Sequence, residues 1–88
     1  MTWRIEWDDR ALKQLRKLDH QIQKDLLKYL RERIATDKDT RRFGKDLSRE
    51  FDGLWRYRVA DHRMICRIED EVIVVFVVAV GYRRKIYK

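Results

Sequence analysis

The sequence predicts an α+β domain in which an N-terminal strand and a two-helix hairpin precede a three-stranded antiparallel meander, forming a small twisted sheet. Three patterns point to this fold class. Apolar and polar residues alternate at the N-terminus and in two later runs, apolar residues recur at helical spacing between them, and an unbroken apolar run follows. With 88 residues, the chain has the length of one domain, which we place at residues 1–88.

The first strand and both helices are predicted in the N-terminal half. Residues 2–7 alternate, which is typical of a strand with one apolar face. Asp8 or Asp9 can cap a first helix over residues 10–18, and Asp19 can cap a second one. The second helix is expected to bury a stripe at helical spacing, formed by Ile22, Leu26, Tyr29, Leu30 and Ile34.

The meander is predicted in the C-terminal half, after a polar loop over residues 36–46. In residues 54–59 the aromatic and apolar side chains take one face, and Arg56 and Arg58 take the other. Residues 63–68 alternate again, and a tight connection would pair the two runs as a hairpin. Residues 72–80 are apolar and rich in β-branched side chains, which suits a strand covered on both faces.

Strand pairing in such a meander would gather cations. The hairpin returns Arg63 close to Arg58, and a third strand running back along the second would end at Gly81 and release Arg83 near Arg63. Together with Arg56 these side chains form a cluster of guanidinium groups. Because like charges repel, such a cluster is normally stabilised by a bound anion.

Composition and charge limit the function classes. The net charge of +7 and the calculated pI of about 9.9 favour a polyanionic partner, either nucleic acid or an acidic protein. The nine-residue apolar run is too short to span a bilayer and the N-terminus lacks a signal pattern, so we expect a cytoplasmic protein without a membrane partner. The lone Cys66 is expected to be a core thiol and not a nucleophile.

Several kinds of catalytic and metal site are excluded by the sequence. It contains no Gly-rich phosphate loop, no paired cysteines and no His-x-x-x-His, so we expect neither a metal ion nor a cofactor. His20, at a helix junction, is expected to be a surface or capping residue. His62, in the hairpin turn, is either a surface residue or a side chain that reaches a ligand on the cationic face.

The order and motifs of the chain resemble those of the RelE/ParE superfamily of bacterial toxins. The shared features are a basic-x-basic pair on the first meander strand, an arginine opening the second, and V-G-x-R…Y after the third. They lie in DDRALKQLRKLD, DGLWRYRVADHRMICRI and VVFVVAVGYRRKIY, and in this order they cover essentially the whole chain. The fold implied by the resemblance is RelE-like.

The resemblance to the RelE branch implies a ribosome-dependent endoribonuclease that cuts messenger RNA in the decoding site. The implied partners are mRNA on the ribosome, rRNA, and a cognate acidic, RelB-like antitoxin that neutralises the toxin. The functional positions of the branch fall on five residues of this sequence: Arg56, Arg58, Arg63, Arg83 and Tyr87.

These residue types fit the implied reaction chemically. RNA cleavage without metal requires a deprotonated 2′-hydroxyl, a stabilised pentacovalent phosphorane and a protonated 5′-oxygen leaving group. We assign phosphate binding and charge stabilisation to Arg56, Arg58 and Arg63, and assistance of the leaving group to Arg83. Tyr87 is the candidate base because neighbouring cations lower the pKa of a phenol. His62 is the alternative base.

RNA contacts outside the reacting phosphate are predicted for Tyr82, by stacking, and for a basic group formed by Arg84, Lys85 and His62. Trp55 and Tyr57 could also stack on bases, although alternation assigns both to the core face. The cations on the exposed side of the helices form either a solvated surface or a nucleic-acid stripe.

Two other functions remain compatible with the sequence. The ParE branch implies a non-catalytic inhibitor of DNA gyrase. That branch lacks the cationic cluster, so the cluster in this sequence favours the RelE branch. Alternatively, the basic surface only docks an acidic antitoxin, in a chain without enzymatic activity.

Overall fold

The computed structural model describes residues 2–47 and 53–82. In chain order, its regular elements are β1 (Arg4–Trp7), α1 (Asp9–Arg16), α2 (His20–Tyr29), a π-helical turn (Leu30–Ile34), a 3₁₀ turn (Thr40–Phe43), β2 (Lys45–Asp46), β3 (Leu54–Val59), β4 (His62–Glu69) and β5 (Val74–Tyr82). The predicted α+β class is confirmed, with the N-terminal strand, the helical hairpin and the meander in the expected order.

The five strands form one mixed sheet in the order β1-β5-β4-β3-β2. Strands β3, β4 and β5 are the antiparallel meander, and β1 adds to its edge in parallel with β5. Helix α1 packs on β5 and α2 on β3. We call the sheet surface that faces α1 and α2 the helix face and the other surface the open face.

The hydrophobic core lies between the helices and the helix face. The stripe predicted for the second helix is confirmed across α2 and the π-helical turn, since Leu26, Leu30 and Ile34 are buried and Ile22 and Tyr29 pack against the core. The sheet supplies the other half of the core through alternate residues of the central strands: Tyr57, Met64, Cys66, Ile68, Val75, Val77 and Val80. Alternation in the sequence therefore correctly separated core residues from solvent-facing ones in the meander.

Both helices begin where aspartates were expected to cap them. Asp19 accepts a hydrogen bond from the backbone amide of Gln21 at 3.2 Å and so caps α2. Asp8 occupies the N-cap of α1 in an extended conformation, without a side-chain hydrogen bond. Helix α1 is shorter than predicted and ends at Arg16, because residues 17–19 turn the chain into α2.

The loop predicted over residues 36–46 is in part regular structure. Its 3₁₀ turn is held by the buried phenol of Tyr57, which donates a hydrogen bond to the backbone oxygen of Thr40 at 2.8 Å. Strand β2 then pairs with β3. The guanidinium of Arg41 ties this segment to the β4–β5 turn through two hydrogen bonds to Asp70, of 3.0 and 2.6 Å.

Strand β5 lies two residues later than the predicted run 72–80. Ile73 has a positive φ of 56°, so the turn includes it and the strand begins at Val74. Pairing with β4 continues to Tyr82, beyond the predicted end at Gly81. The core residues Val75, Val77 and Val80 of β5 are buried, whereas Phe76, Val78 and Ala79 are half-buried, so the strand is less completely covered than expected.

Among residues 2–47 and 53–82, no helix is long and apolar enough to cross a membrane.

Candidate functional site

The β3–β4 hairpin places two of the predicted arginines directly opposite each other. Ala60 and Asp61 form the connection, and Ala60 has a φ of 52°, in the left-handed region that tight hairpin turns require. This register pairs Arg58 with Arg63. Opposed residues of neighbouring strands point to the same face with their Cβ atoms only about 5 Å apart, so both guanidinium groups emerge side by side on the open face.

Arg56 joins this pair. It lies two residues before Arg58 on β3, which puts it on the same face, and it pairs across the sheet with Ile65. The three predicted arginines of the meander hairpin are therefore brought together in two adjacent rows of the open face. Ile65, the partner of Arg56 in this register, is only 5% exposed, so the cluster stands next to apolar surface of the sheet.

At least one guanidinium donor of this cluster can still bind a ligand. The Nε atom of Arg56 is buried and has no hydrogen-bond partner among the described residues. A buried donor without a partner costs free energy, and an absent ligand is one of the ordinary explanations for it. Arg58 is exposed and donates its Nε–H to the backbone oxygen of Ala60 at 3.3 Å. The cluster is arranged to accept an anion such as a phosphate.

Four other predicted site residues lie outside the described residues: Arg83, Arg84, Lys85 and Tyr87. Strand β5 does run antiparallel to β4 and pairs Gly81 with Arg63, so the described part of the chain ends beside the arginine cluster. The roles assigned to these four side chains stay predictions.

His62 and Tyr82 occupy a different surface from the arginines. His62 is the first residue of β4 and not part of the turn, and it pairs with Val59 on one side and Tyr82 on the other. Because Val59 packs against the core, all three side chains lie on the helix face. The two rings meet edge to face, with centroids 5.8 Å apart. His62 thus lies on the opposite face from Arg63, because neighbouring strand residues point to opposite sides. Its predicted RNA contact and its role as the alternative base stay predictions.

The aromatic and thiol groups assigned to the core are confirmed there. Tyr57 is fully buried, and burial raises the pKa of its phenol, so the group is a neutral hydrogen-bond donor. Trp55 packs against the core with the Arg41 guanidinium 5.6 Å from its ring centroid. Cys66 is fully buried, and burial likewise raises the pKa of its thiol, which disfavours the thiolate needed for nucleophilic attack.

Two further cations adjoin the arginines on the open face, and sequence reasoning did not assign them to the site. Lys45 on β2 pairs with Arg56, and Arg67 on β4 lies two residues beyond Ile65. Alternation in the sequence already placed Arg67 on the same face as Arg63, so Arg67 could have been predicted as part of the site. Lys45 was assigned to a loop, and the sequence contains no recognisable pattern for a two-residue edge strand.

Two other features contribute no catalytic chemistry. A groove of about 540 Å³ between β1 and α2 is lined mostly by apolar side chains, including Trp3, Trp7, Leu27 and Leu30. The described ranges also contain no group of three or more His, Cys, Asp or Glu residues placed to hold a metal ion. The arginine cluster on the open face is thus the candidate site.

Solved structures of bacterial and archaeal toxins share this architecture. The chain is similar to a protein in the RelBE2 toxin–antitoxin complex of Mycobacterium tuberculosis, with 25% identity, a TM-score of 0.85, and coverage of 94% of this chain and 93% of the other. It is also similar to the isolated Escherichia coli RelE toxin, with 28% identity, a TM-score of 0.72, and coverage of 91% and 83%.

An archaeal structure extends the likeness at the level of the fold. In the RelE–RelB complex of Pyrococcus horikoshii the identity is 19% and the TM-score 0.72, over 97% of this chain and 99% of that one. No curated protein sequence matches the chain. The fold is that of RelE-like toxins.

The sequence assigns the chain to a family within this class. Residues 5–87 match the sequence model of the ParE toxin of type II toxin–antitoxin systems, parDE. Since this match spans nearly the whole sequence, the chain belongs to that family, and it is a toxin of a type II toxin–antitoxin system in the RelE/ParE superfamily. The resemblance seen in the sequence motifs is confirmed.

Proposed function

We propose that this toxin is a metal-independent endoribonuclease that cleaves mRNA on the ribosome, in the cytoplasm. The observation that carries the proposal is the arginine cluster of the open face. Arg58 stands directly opposite Arg63, and the buried Nε–H of Arg56 lacks a partner among the described residues. Two guanidinium groups held side by side favour a bound anion such as a phosphate, which supports an RNA ligand for this face.

In the proposed reaction, these arginines hold the scissile phosphate. As the 2′-oxygen attacks phosphorus, the non-bridging oxygens gain negative charge, and guanidinium groups fixed by strand pairing stabilise that charge without reorganising. Arginine remains protonated at any physiological pH, so the cluster supplies charge and not a base. The proposal gives removal of the 2′-hydroxyl proton to Tyr87 as phenolate. Arg83 stabilises the charge on the 5′-oxygen, which takes its proton from water as the P–O5′ bond breaks and a 2′,3′-cyclic phosphate forms.

The proposed partner of the toxin outside the ribosome is an acidic antitoxin. Several similar structures are toxin–antitoxin complexes, including that of M. tuberculosis and the intact E. coli RelBE complex, to which the chain is 28% identical with a TM-score of 0.59. The net charge of +7 favours an acidic partner. A RelB-like segment that covers the arginines would block RNA binding.

Cleavage of mRNA in a translation extract tests the proposal. Wild-type protein is expected to cut message at fixed positions within codons when ribosomes are present, as mapped by primer extension. Arg63→Ala should reduce cleavage by at least about 100-fold, in line with the loss of a transition-state hydrogen-bond donor, without a change in circular dichroism. The matched control is Arg16→Ala, an exposed cation on α1. Intact message with ribosomes and wild-type toxin would refute the proposal.

Inhibition of DNA gyrase is the second candidate function. The matching family model describes ParE toxins, and this observation favours the alternative. It predicts that purified toxin inhibits gyrase supercoiling while mRNA stays whole, and that Arg63→Ala retains this inhibition. If supercoiling and message are both unaffected, the remaining function is antitoxin docking by an inactive chain.

A further inference from the structure

We propose that the RNA-binding surface extends past the predicted arginines to Lys45 and Arg67, which hold phosphates next to the scissile one. Lys45 stands opposite Arg56, and Arg67 stands opposite Leu54, one row further along the hairpin. With Arg56, Arg58 and Arg63 they make a cationic strip across β2, β3 and β4. The inference rests on the proposed RNA-cleaving function for its ligand class.

The dimensions of the strip fit an extended chain and not a single anion. From the Arg58 row to the Arg67 row is four residues along the strands, or about 13 Å, and from β2 to β4 is two strand spacings, or about 10 Å. Cations spread over this area cannot all contact one phosphate. A strand of RNA held at its scissile phosphate by Arg58 and Arg63 would instead present its neighbouring phosphates to the rest of the strip.

The charges of both residues are available to a ligand. Lys45 is exposed. Arg67 approaches Glu69 only at 3.9 Å, with both side chains about half exposed (53% and 49%). An ion pair at that distance and exposure is worth little, so a phosphate can replace it.

An aromatic ring on the same face favours single-stranded RNA over an acidic protein. Phe76 of β5 pairs with Arg67, is half-buried, and lies on the open face. Proteins that bind single strands combine a cationic track for the backbone with aromatic rings for the bases. The strip and the adjacent ring together therefore fit single-stranded RNA, and binding of the antitoxin at this face is the other outcome of the test.

Salt-dependent binding of uncleavable RNA tests the inference. A fluorescently labelled single-stranded RNA with 2′-O-methyl groups throughout cannot be cut, so fluorescence anisotropy gives its Kd across a salt series. Lys45→Ala and Arg67→Ala are each expected to weaken binding about fivefold at 0.1 M salt and to reduce the slope of log K against log salt by about 0.7, the loss of one phosphate contact. The double variant should show both losses together.

Matched controls remove the same charge from the helix side of the molecule. Lys24→Ala and Arg16→Ala, both at exposed helical positions, are expected to leave the slope unchanged. Equal effects in these controls would mean that only net charge matters, which overturns the inference. It also fails if Lys45→Ala and Arg67→Ala weaken binding of the acidic antitoxin but not of RNA.

The outcome is separable from that of the proposed function. If ribosome-dependent cleavage is absent but both variants lose RNA affinity, the proposed function fails and the binding strip stands. If Arg63→Ala abolishes cleavage but Lys45→Ala and Arg67→Ala bind RNA normally, the strip fails and the proposed function stands.

Discussion

At the residue scale, the strand register sets Arg58 directly opposite Arg63. Side chains of like charge directly opposite each other on a sheet are destabilising by a few tenths of a kcal/mol up to about 1 kcal/mol, and here Arg56 adds a third charge on the same face. On the helix face of the same strands the side chains are uncharged and packed in the core, with Tyr57, Met64 and Cys66 fully buried. The hairpin therefore stabilises the fold through its helix face, and the proposed RNA site would use the other face.

Cys66 gives a prediction at the residue scale for stability against pH. Burial raises the pKa of its thiol in the folded protein, so folding favours the protonated form. The resulting stabilisation is complete below the pKa of the unfolded thiol, about 8.5, and is lost as the pH rises from there towards the folded pKa. Above pH 8.5 the free energy of unfolding should fall more steeply than in Cys66→Ala, by a difference that approaches about 1.4 kcal/mol per pH unit.

Urea unfolding between pH 7 and 10 measures this difference. The comparison uses the slope of the unfolding free energy against pH. The smaller alanine side chain lowers stability by the same amount at every pH, so this loss does not affect the slope. Parallel pH dependences for the two proteins would show that the thiol is solvated in the native state.

At the scale of elements, the segment over residues 36–46 fixes the outer edge of the sheet. Its 3₁₀ turn covers Tyr57 and accepts the hydrogen bond from that phenol, and the Arg41–Asp70 contact holds it to the β4–β5 turn. Strand β2 ends the segment and brings Lys45 beside Arg56. The segment thus determines the width of the cationic strip.

Gly44 allows this close approach and gives a prediction. A Cβ at this position would lie 3.0 Å from Cε1 of Tyr57 and 3.2 Å from Cε3 of Trp55. The Tyr57 ring is fully buried and cannot yield freely, so Gly44→Ala is expected to destabilise the protein by about 1–3 kcal/mol.

Thermal unfolding measures this effect, at about 4–8 °C per kcal/mol for a domain of this size. The neighbouring Lys45→Ala, at an exposed side chain, serves as the control and should change stability by less than about 0.5 kcal/mol. An unchanged melting temperature for Gly44→Ala would show that the segment packs more loosely on Trp55 and Tyr57.

At the scale of the whole molecule, charge is distributed over both sides of the sheet. Besides the strip on the open face, the outer side of the helical hairpin carries exposed cations: Lys13, Arg16, Lys17, Lys24, Lys28, Arg31 and Arg33. A net charge of +7 creates a long-range field that attracts polyanions before any contact is made. Steering by this field is screened by salt within about 10 Å at 0.1 M.

Association with the acidic antitoxin is therefore expected to be fast and sensitive to salt. Raising the ionic strength from about 0.01 M to about 0.15 M should lower the association rate at least tenfold and change the dissociation rate much less. Stopped-flow fluorescence measures both rates. Lys13→Glu with Lys17→Glu removes two charge units at each site, from +7 to +3, and should flatten the salt dependence. A salt-independent association rate would exclude steering.

The sequence by itself determined the fold class, the two faces of the meander and the toxin superfamily. It could do so because period-two alternation and helical spacing are local properties of the sequence. They assign Arg56, Arg58 and Arg63 to the face away from the core, whichever strands pair with theirs. It also placed the core residues Tyr57 and Cys66 correctly. The motif order then identified the superfamily.

The tertiary structure decided which side chains meet. The register between β3 and β4 sets Arg58 opposite Arg63 and His62 opposite Val59, which puts His62 on the helix face. A register shifted by one residue would exchange the two faces of the strand. Strand β2, and with it the place of Lys45 beside Arg56, depends on packing of residues 40–46 over Tyr57 and Trp55. Contacts between segments far apart in the chain leave no local pattern, and this is why only the folded molecule shows the full width of the cationic face.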